Sequence, residues 1–119
     1  MAMSKSQLLV ALGICIMLSG CVTPTIYTWK GYDDRLYKYY QNPTEPETFI
    51  GDLREVISEG EISNKVPPGL YAELGYALYA QGSYQESIMY FQKESEKWIE
   101  SKALMAKMID NANRALQRK

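Results

Sequence analysis

The 119-residue chain contains no histidine, and only one of its two cysteines lies beyond residue 20. Histidine is the commonest metal ligand and the usual base near neutral pH, so zinc sites of the Cys/His kind, Ser-His-Asp triads and Cys-His dyads are excluded. Beyond residue 20 the chain carries 12 basic and 14 acidic residues, a net charge of −2. It therefore lacks the excess of positive charge that is typical of proteins that bind nucleic acid. We therefore expect no metal, no cofactor, no nucleic-acid partner and no enzyme activity.

The N-terminus lacks an apolar run long enough to span a bilayer, which needs about 20 residues. Its apolar run, Leu8 to Leu18, has eleven residues and follows Lys5, which is the arrangement of a signal sequence. Two small residues and Cys21 come next, in the sequence LSGC. Residues 18–21 resemble the lipobox of bacterial lipoproteins.

In that family the cysteine sulfur receives diacylglycerol, the preceding peptide bond is cut, and the new N-terminus is acylated. The resemblance implies that residues 1–20 are a signal peptide, that Cys15 is lost with it, and that Cys21 is lipidated. Several acyl chains give a stable membrane anchor. Val22 stands where an aspartate retention signal would stand in enteric bacteria, so we expect the outer membrane, facing the periplasm. A plain secretory signal or an uncleaved membrane helix, with an incidental cysteine in either case, is the alternative.

Residues 21–31 are expected to form the lipidated N-terminus and a tether. Pro24 and the β-branched residues near it favour an extended backbone. The apolar residues of the tether, Ile26, Tyr27 and Trp29, either pack on the following domain or lie near the bilayer surface.

Residues 32–119 predict an all-α domain. The first helix ends at Asn42-Pro43, and a capping box of Thr44 and Glu47 opens a second, which ends near Gly60. The apolar faces of these two helices contain Tyr32, Leu36, Tyr39 and Tyr40 in the first, and Phe49, Ile50, Leu53, Val56 and Ile57 in the second.

A helical hairpin is predicted between residues 70 and 98. Gly82 suits the left-handed end of its first helix, and a capping box of Ser83 and Glu86 opens its second. The apolar faces contain Leu70, Leu74, Ala77 and Leu78, then Tyr84, Ile88, Phe91, Ser95 and Trp98. A fifth helix over 102–117 has Met105, Met108, Ile109, Ala112 and Leu116 on its apolar face.

The hairpin resembles the tetratricopeptide repeat, a 34-residue helix-turn-helix unit. The residues that carry the resemblance are Tyr71, Leu74, Gly75, Leu78, Gly82, Tyr84, Ser87 and Phe91. It implies that Gly75 and Ser87 let the helices approach closely. Glu94 and Ile99 depart from the pattern, which suggests a second helix that continues beyond its usual end.

Residues 34–67 are similar to a degenerate preceding repeat, and helix 102–117 to the capping helix of such arrays. The prediction is thus about two and a half tetratricopeptide-like repeats, with an unrelated helical bundle as the alternative. The chain from Cys21 also resembles small bacterial lipoproteins that carry a domain-of-unknown-function label, on the block YTWKGYDDRLYKYY (27–40) and the hairpin. Members are often encoded beside a lipoprotein resembling the curli secretion pore, which implies an envelope partner but assigns no functional residue.

The tetratricopeptide resemblance implies a concave face that binds another protein, and hence an adaptor or accessory subunit of an envelope complex. The candidate binding residues are Arg35, Lys38, Tyr76, Tyr79, Asp110 and Asn113. A self-associating structural subunit is the alternative, with Trp29, Trp98, Met105 and Met108 as its contacts. Catalysis is disfavoured because acids one or two positions apart, such as Asp33-Asp34 and Glu94 with Glu96, do not face each other on a helix.

Overall fold

The computed structural model describes residues 2–9, 20, 25–43 and 45–118, and within them the chain is helical with no strand. Residues 5–9 are helical, and five longer helices follow residue 31. They are α1 (Tyr32–Gln41), α2 (Pro46–Ser63), α3 (Leu70–Ala80), α4 (Tyr84–Lys97) and α5 (Lys102–Gln117), with a 3-10 turn at Ile99–Ser101. The predicted all-α class with a C-terminal helix is confirmed. Cys21 and Thr44 lie outside the described residues, so lipidation and the first capping box stay predictions.

Successive helices pack against each other in antiparallel order, which gives the domain two ends. At the proximal end, which we define as residues 25–31, 62–69 and 97–104, Thr28 N–H donates to the Lys65 carbonyl at 2.9 Å. The Tyr27 ring there meets the Trp98 ring edge to face at 6.0 Å. The distal end consists of residues 42, 43, 45–48, 81–86 and 116–118, where the start of α2 adjoins Gln81 and the start of α4 adjoins Leu116.

The main core joins α1, α2, α3 and the loop before α3. Its buried residues are Tyr32, Phe49, Ile50, Leu53, Val56, Ile57, Val66, Leu70, Tyr71, Leu74 and Leu78. The five residues predicted for the apolar face of α2 are thus all buried. Tyr40 was predicted to share the buried face of α1, and that prediction is wrong because its side chain is 72% exposed. The preceding residue, Tyr39, stacks on Phe49 instead, and adjacent helical residues point about 100° apart.

Helix α2 continues three residues past Gly60, where its end was predicted. It ends at Ser63, because Asn64 takes the left-handed conformation with φ of 54°. Gly60 is required for packing instead. A Cβ built there would lie 2.9 Å from Val66 Cγ2, and the Lys65 N–H donates to the Gly60 carbonyl at 2.7 Å.

The departures at Glu94 and Ile99 predict that the second helix of the hairpin, α4, is longer than the second helix of the repeat. That prediction is wrong. Helix α4 ends at Lys97, and Trp98 is extended, with φ of −123° and ψ of 102°. The second capping box is also wrong in detail, since Ser83 precedes α4 but its side chain makes no cap hydrogen bond. Glu86, its expected partner, forms an ion pair with Arg54 of α2 at 2.6 Å.

The α3/α4 hairpin has the short turn that the sequence predicts. Gly82 has φ of 80°, and the Ser83 N–H donates to the Leu78 carbonyl at 2.9 Å, which closes α3. The helices cross closely at Gly75, where a Cβ would lie 2.7 Å from the Phe91 ring and 3.2 Å from the Ser87 carbonyl. Phe91 and Ser87 are fully buried there.

Candidate functional site

The first two predicted binding residues lie together at a pocket between α1 and α2, near the distal end. It has a volume of about 230 Å³ and is lined by Arg35, Lys38, Tyr39, Asn42, Glu45, Thr48, Phe49 and Asp52. One wall is the stack of Tyr39 on Phe49, whose ring centroids are 4.1 Å apart. The pocket therefore offers an aromatic surface beside one lysine and one arginine.

The charge of Arg35 is largely compensated within the fold. Its Nη1 lies 3.0 Å from Glu55 and 3.5 Å from Asp52, and it donates to the Asp52 carbonyl at 3.3 Å. Lys30 also pairs with Glu55 at 3.0 Å, and the hydrogen bonds from Lys30 and then Arg35 hold the Glu55 pKa below its usual range. Arg35 consequently ties α1 to α2, and Lys38, whose side chain is exposed, is the cation of this pocket that is better placed for a ligand.

The two tyrosines of α3 have different surroundings. Tyr76 is 62% exposed. Tyr79 is half-buried, because its ring lies 5.2 Å from the ring of Tyr84 across the hairpin turn. Tyr76 therefore remains a candidate contact for a partner, whereas Tyr79 contributes to packing of the hairpin.

The two predicted residues of α5 are both exposed. Asp110 pairs with Arg114 one turn later, at 2.5 Å. An exposed ion pair of this kind contributes little to stability.

The contacts described for the six candidate residues lie within one helix or between neighbouring helices. Among the described residues, no hydrogen bond or ion pair joins the α1, α3 and α5 positions into one site.

A polar cluster that the sequence analysis did not identify joins α2, α3 and α4. Glu61 accepts from Tyr71 Oη and from Lys93 Nζ, each at 2.9 Å. Lys93 Nζ also lies 5.5 Å from the ring centroids of Tyr71 and Tyr90. The hydrogen bond from Lys93 is the main cause that lowers the Glu61 pKa. Arg54 extends the cluster, since it lies 6.0 Å from the Tyr90 ring.

We expect the domain to lose stability in alkali because two buried phenols resist ionisation. Burial, and then hydrogen bonds to Glu73 and Glu61 respectively, raise the pKa of Tyr32 and of Tyr71 well above the usual value. The unfolded chain releases these protons near pH 10 whereas the folded chain retains them, so the free energy of unfolding falls as pH rises above about 10.

Urea titrations from about pH 9 to about pH 11 measure how steeply the free energy of unfolding falls with pH. Tyr71→Phe should make this fall less steep, and combining it with Tyr32→Phe should make it less steep still. An unchanged slope in the double variant would rule out these phenols as the cause.

Within the described residues, no group of three acids or cysteines is placed to hold a metal ion. Glu94 is buried and Glu96 is exposed, so this pair of acids does not converge. In the same part of the chain, none of the helices combines the length and the apolar character that crossing a bilayer requires.

These features define a small all-α protein with a helical hairpin and a C-terminal helix, whose exposed candidate contacts are Lys38, Tyr76, Asp110 and Asn113. The model of a domain of unknown function, DUF4810, matches residues 26–108. The chain therefore belongs to the DUF4810 family. No curated protein and no solved structure matches it.

Proposed function

We propose that this protein is a lipid-anchored envelope protein, facing the periplasm from the outer membrane, whose helical domain binds another envelope protein. The anchor rests on the lipobox-like sequence LSGC, with Cys21 as the lipidated residue. The proposed contribution of the helical domain is a binding surface.

A tetratricopeptide-like arrangement of the helices is part of this proposal. The close crossing at Gly75, the burial of Ser87 and Phe91, and the three-residue turn at Gly82 support it, since each residue has the role that the repeat assigns to its position. In such arrays the first helix of each hairpin forms the concave binding face. Here those helices are α1, α3 and α5.

The observation that carries the binding proposal is the exposure of large aromatic side chains on α1 and α3. Tyr37, Tyr40 and Tyr76 are each more than 60% exposed. Tyrosine combines a large, stiff contact area with a polar tip, and it is enriched in interfaces between proteins. Together with the aromatic wall of the α1/α2 pocket, these side chains fit a protein segment with apolar groups. The family resemblance suggests a lipoprotein like the curli secretion pore as partner.

Self-association is the alternative, and its proposed contacts are mostly occupied within one chain. Met105 is buried, Met108 is half-buried, and Trp98 faces Tyr27. Trp29, at 43% exposure, is the remaining exposed member of that set. We therefore favour binding of a different protein.

Photo-crosslinking in living cells tests the proposal. A photoreactive phenylalanine analogue replaces Tyr76 in one variant and the exposed Gln92 of α4 in a matched control. We expect a crosslinked product with a second protein from position 76, absent from position 92 and reduced when Cys21→Ser prevents anchoring. A product of twice the chain mass would support self-association, and equal products at both positions would contradict a binding face on α3.

A further inference from the structure

Exposed aliphatic side chains are concentrated at one end of the domain. From residue 25 onward, the exposed large aliphatic residues of the described chain are Ile26, Ile62, Met89, Ile99 and Leu104. All but Met89 belong to the proximal end, and Ile26, Ile62 and Ile99 are 76%, 85% and 80% exposed. Single exposed apolar residues are ordinary, but their restriction to one end of a fold marks a contact surface.

Hydrogen bonds and ring contacts bring the three chain segments of this end together. Thr28 meets Ser63 side chain to side chain at 3.2 Å, and Lys65 Nζ donates to the Thr25 carbonyl at 3.3 Å. These contacts place residue 26 beside the end of α2, where Ile62 lies. The ring contact of Tyr27 with Trp98 places the same segment beside Ile99.

The position of the N-terminus limits what can cover this surface. Four residues lead from Cys21 to Thr25, and an extended chain spans at most about 3.5 Å per residue, or about 14 Å in all. A lipid on Cys21 holds that residue at the membrane surface. The proximal end is therefore held next to the bilayer, while the distal end lies farther away by about the length of α4, which is roughly 21 Å at 1.5 Å per residue.

We propose that the proximal end docks on the bilayer that carries the Cys21 lipid, with Ile26, Ile62, Ile99 and Leu104 inserted at the level of the headgroups. This inference rests on the lipid anchor in the proposed function. In the docked orientation the helix axes point away from the membrane surface, and the α1/α2 pocket near the distal end faces the periplasm. The proximal end contains four lysines, Lys30, Lys65, Lys97 and Lys102, and one acid, Glu100, so attraction to anionic headgroups adds to the apolar contact.

Nitroxide labels on the lipidated protein test the docking. The protein is purified from the membranes of producing cells and reconstituted in vesicles of phosphatidylethanolamine and phosphatidylglycerol. Ile62→Cys and Ile99→Cys report on the proximal end, and Gln85→Cys, also exposed, is the distal control. The lipidated sulfur of Cys21 does not react and Cys15 leaves with the signal peptide, so each variant carries one reactive thiol.

On reconstitution, labels at 62 and 99 should gain collisions with oxygen and lose collisions with a water-soluble nickel complex, whereas the label at 85 should change in neither. Labels at 62 and 99 that stay as accessible to nickel as the label at 85 would overturn the docking. Labels already shielded from both reagents in detergent would also overturn it and assign the surface to a protein that copurifies.

Partition into a detergent phase separates failure of the docking from failure of the anchor. A protein that stays in the aqueous phase, with a thiol at Cys21 that reacts with maleimide, contradicts the lipid anchor and with it the docking. A protein that partitions into detergent but keeps water-accessible labels at 62 and 99 contradicts the docking alone.

Discussion

Replacing Gly75 with alanine should lower the free energy of unfolding by about 1–3 kcal/mol, as expected for overpacking of a filled core. The added Cβ would lie 2.7 Å from two carbons of the Phe91 ring. Phe91 is 1% exposed, so its ring cannot move aside without displacing other core atoms. The backbone of α4 adds a second barrier, because the Ser87 carbonyl would lie 3.2 Å from the new methyl group.

Gly51→Ala is the matched control for that variant. Gly51 is also within a helix, α2, but it is exposed and a Cβ there would meet nothing within 4 Å. Alanine has the higher helix propensity, so this variant should gain about 0.5–1 kcal/mol. Urea titrations of the protein lacking residues 1–21 give both values. A gain of similar size at both positions would show that α3 and α4 are not in close contact at Gly75.

The helices could be predicted because the signals for them lie in residues that are close together in the sequence. Apolar periodicity gave the buried face of α2 correctly, and Asn42-Pro43 ended α1 at Gln41 as expected from the restriction before proline. The turn at Gly82 followed from the need for a left-handed residue, and the structure has φ of 80° there. Each of these signals depends on residues within a few positions of one another.

The errors arose where distant residues decide the local structure. Gly60 predicts a helix end, but its lack of a side chain is needed because Val66 packs against α2 at this point. Glu86 fits the pattern of a capping residue, but it forms an ion pair with Arg54 of another helix. Tyr40 fits the apolar period of α1, yet the stack of Tyr39 on Phe49 fixes which side of that helix faces the core.

Part of the candidate site could be proposed from the sequence for the same reason. A contiguous motif predicts the lipidation of Cys21, which stays a prediction, and Tyr76 is exposed, as a residue of the predicted concave face has to be. The compensation of Arg35 by Asp52 and Glu55 could not be predicted, because it depends on how α1 lies across α2. The cluster around Glu61 and Lys93 depends likewise on the packing of three helices.

Glu94 is the departure from the repeat pattern with the clearest structural reason. The residue is buried, and its Oε1 accepts from the Gly69 N–H at 2.8 Å and from Ser101 Oγ at 3.1 Å. One carboxylate oxygen thus links α4 to the start of α3 and to the turn before α5. An alanine at this position could make neither bond, and the turn at Ile99–Ser101 takes the place of a longer α4.

We therefore expect Glu94→Ala to lower the free energy of unfolding by about 2–3 kcal/mol, since it leaves two donors without their acceptor and opens a cavity. Glu94→Gln should retain most of the stability, because an amide oxygen can accept both bonds. Its amide nitrogen would replace Oε2, which has no partner among the described residues. Glu96→Ala, an exposed position on the same helix, is the control and should change stability by less than about 0.5 kcal/mol.

Hydrogen exchange distinguishes the loss of these bonds from a general loss of stability. In Glu94→Ala the Gly69 amide should exchange faster relative to the amides in the middle of α3, because its acceptor is gone while the helix remains. Glu94→Gln should keep the relative protection of Gly69. Equal losses of stability in the alanine and glutamine variants, with Gly69 protected in both, would mean that the charge of Glu94 matters and that its two hydrogen bonds do not.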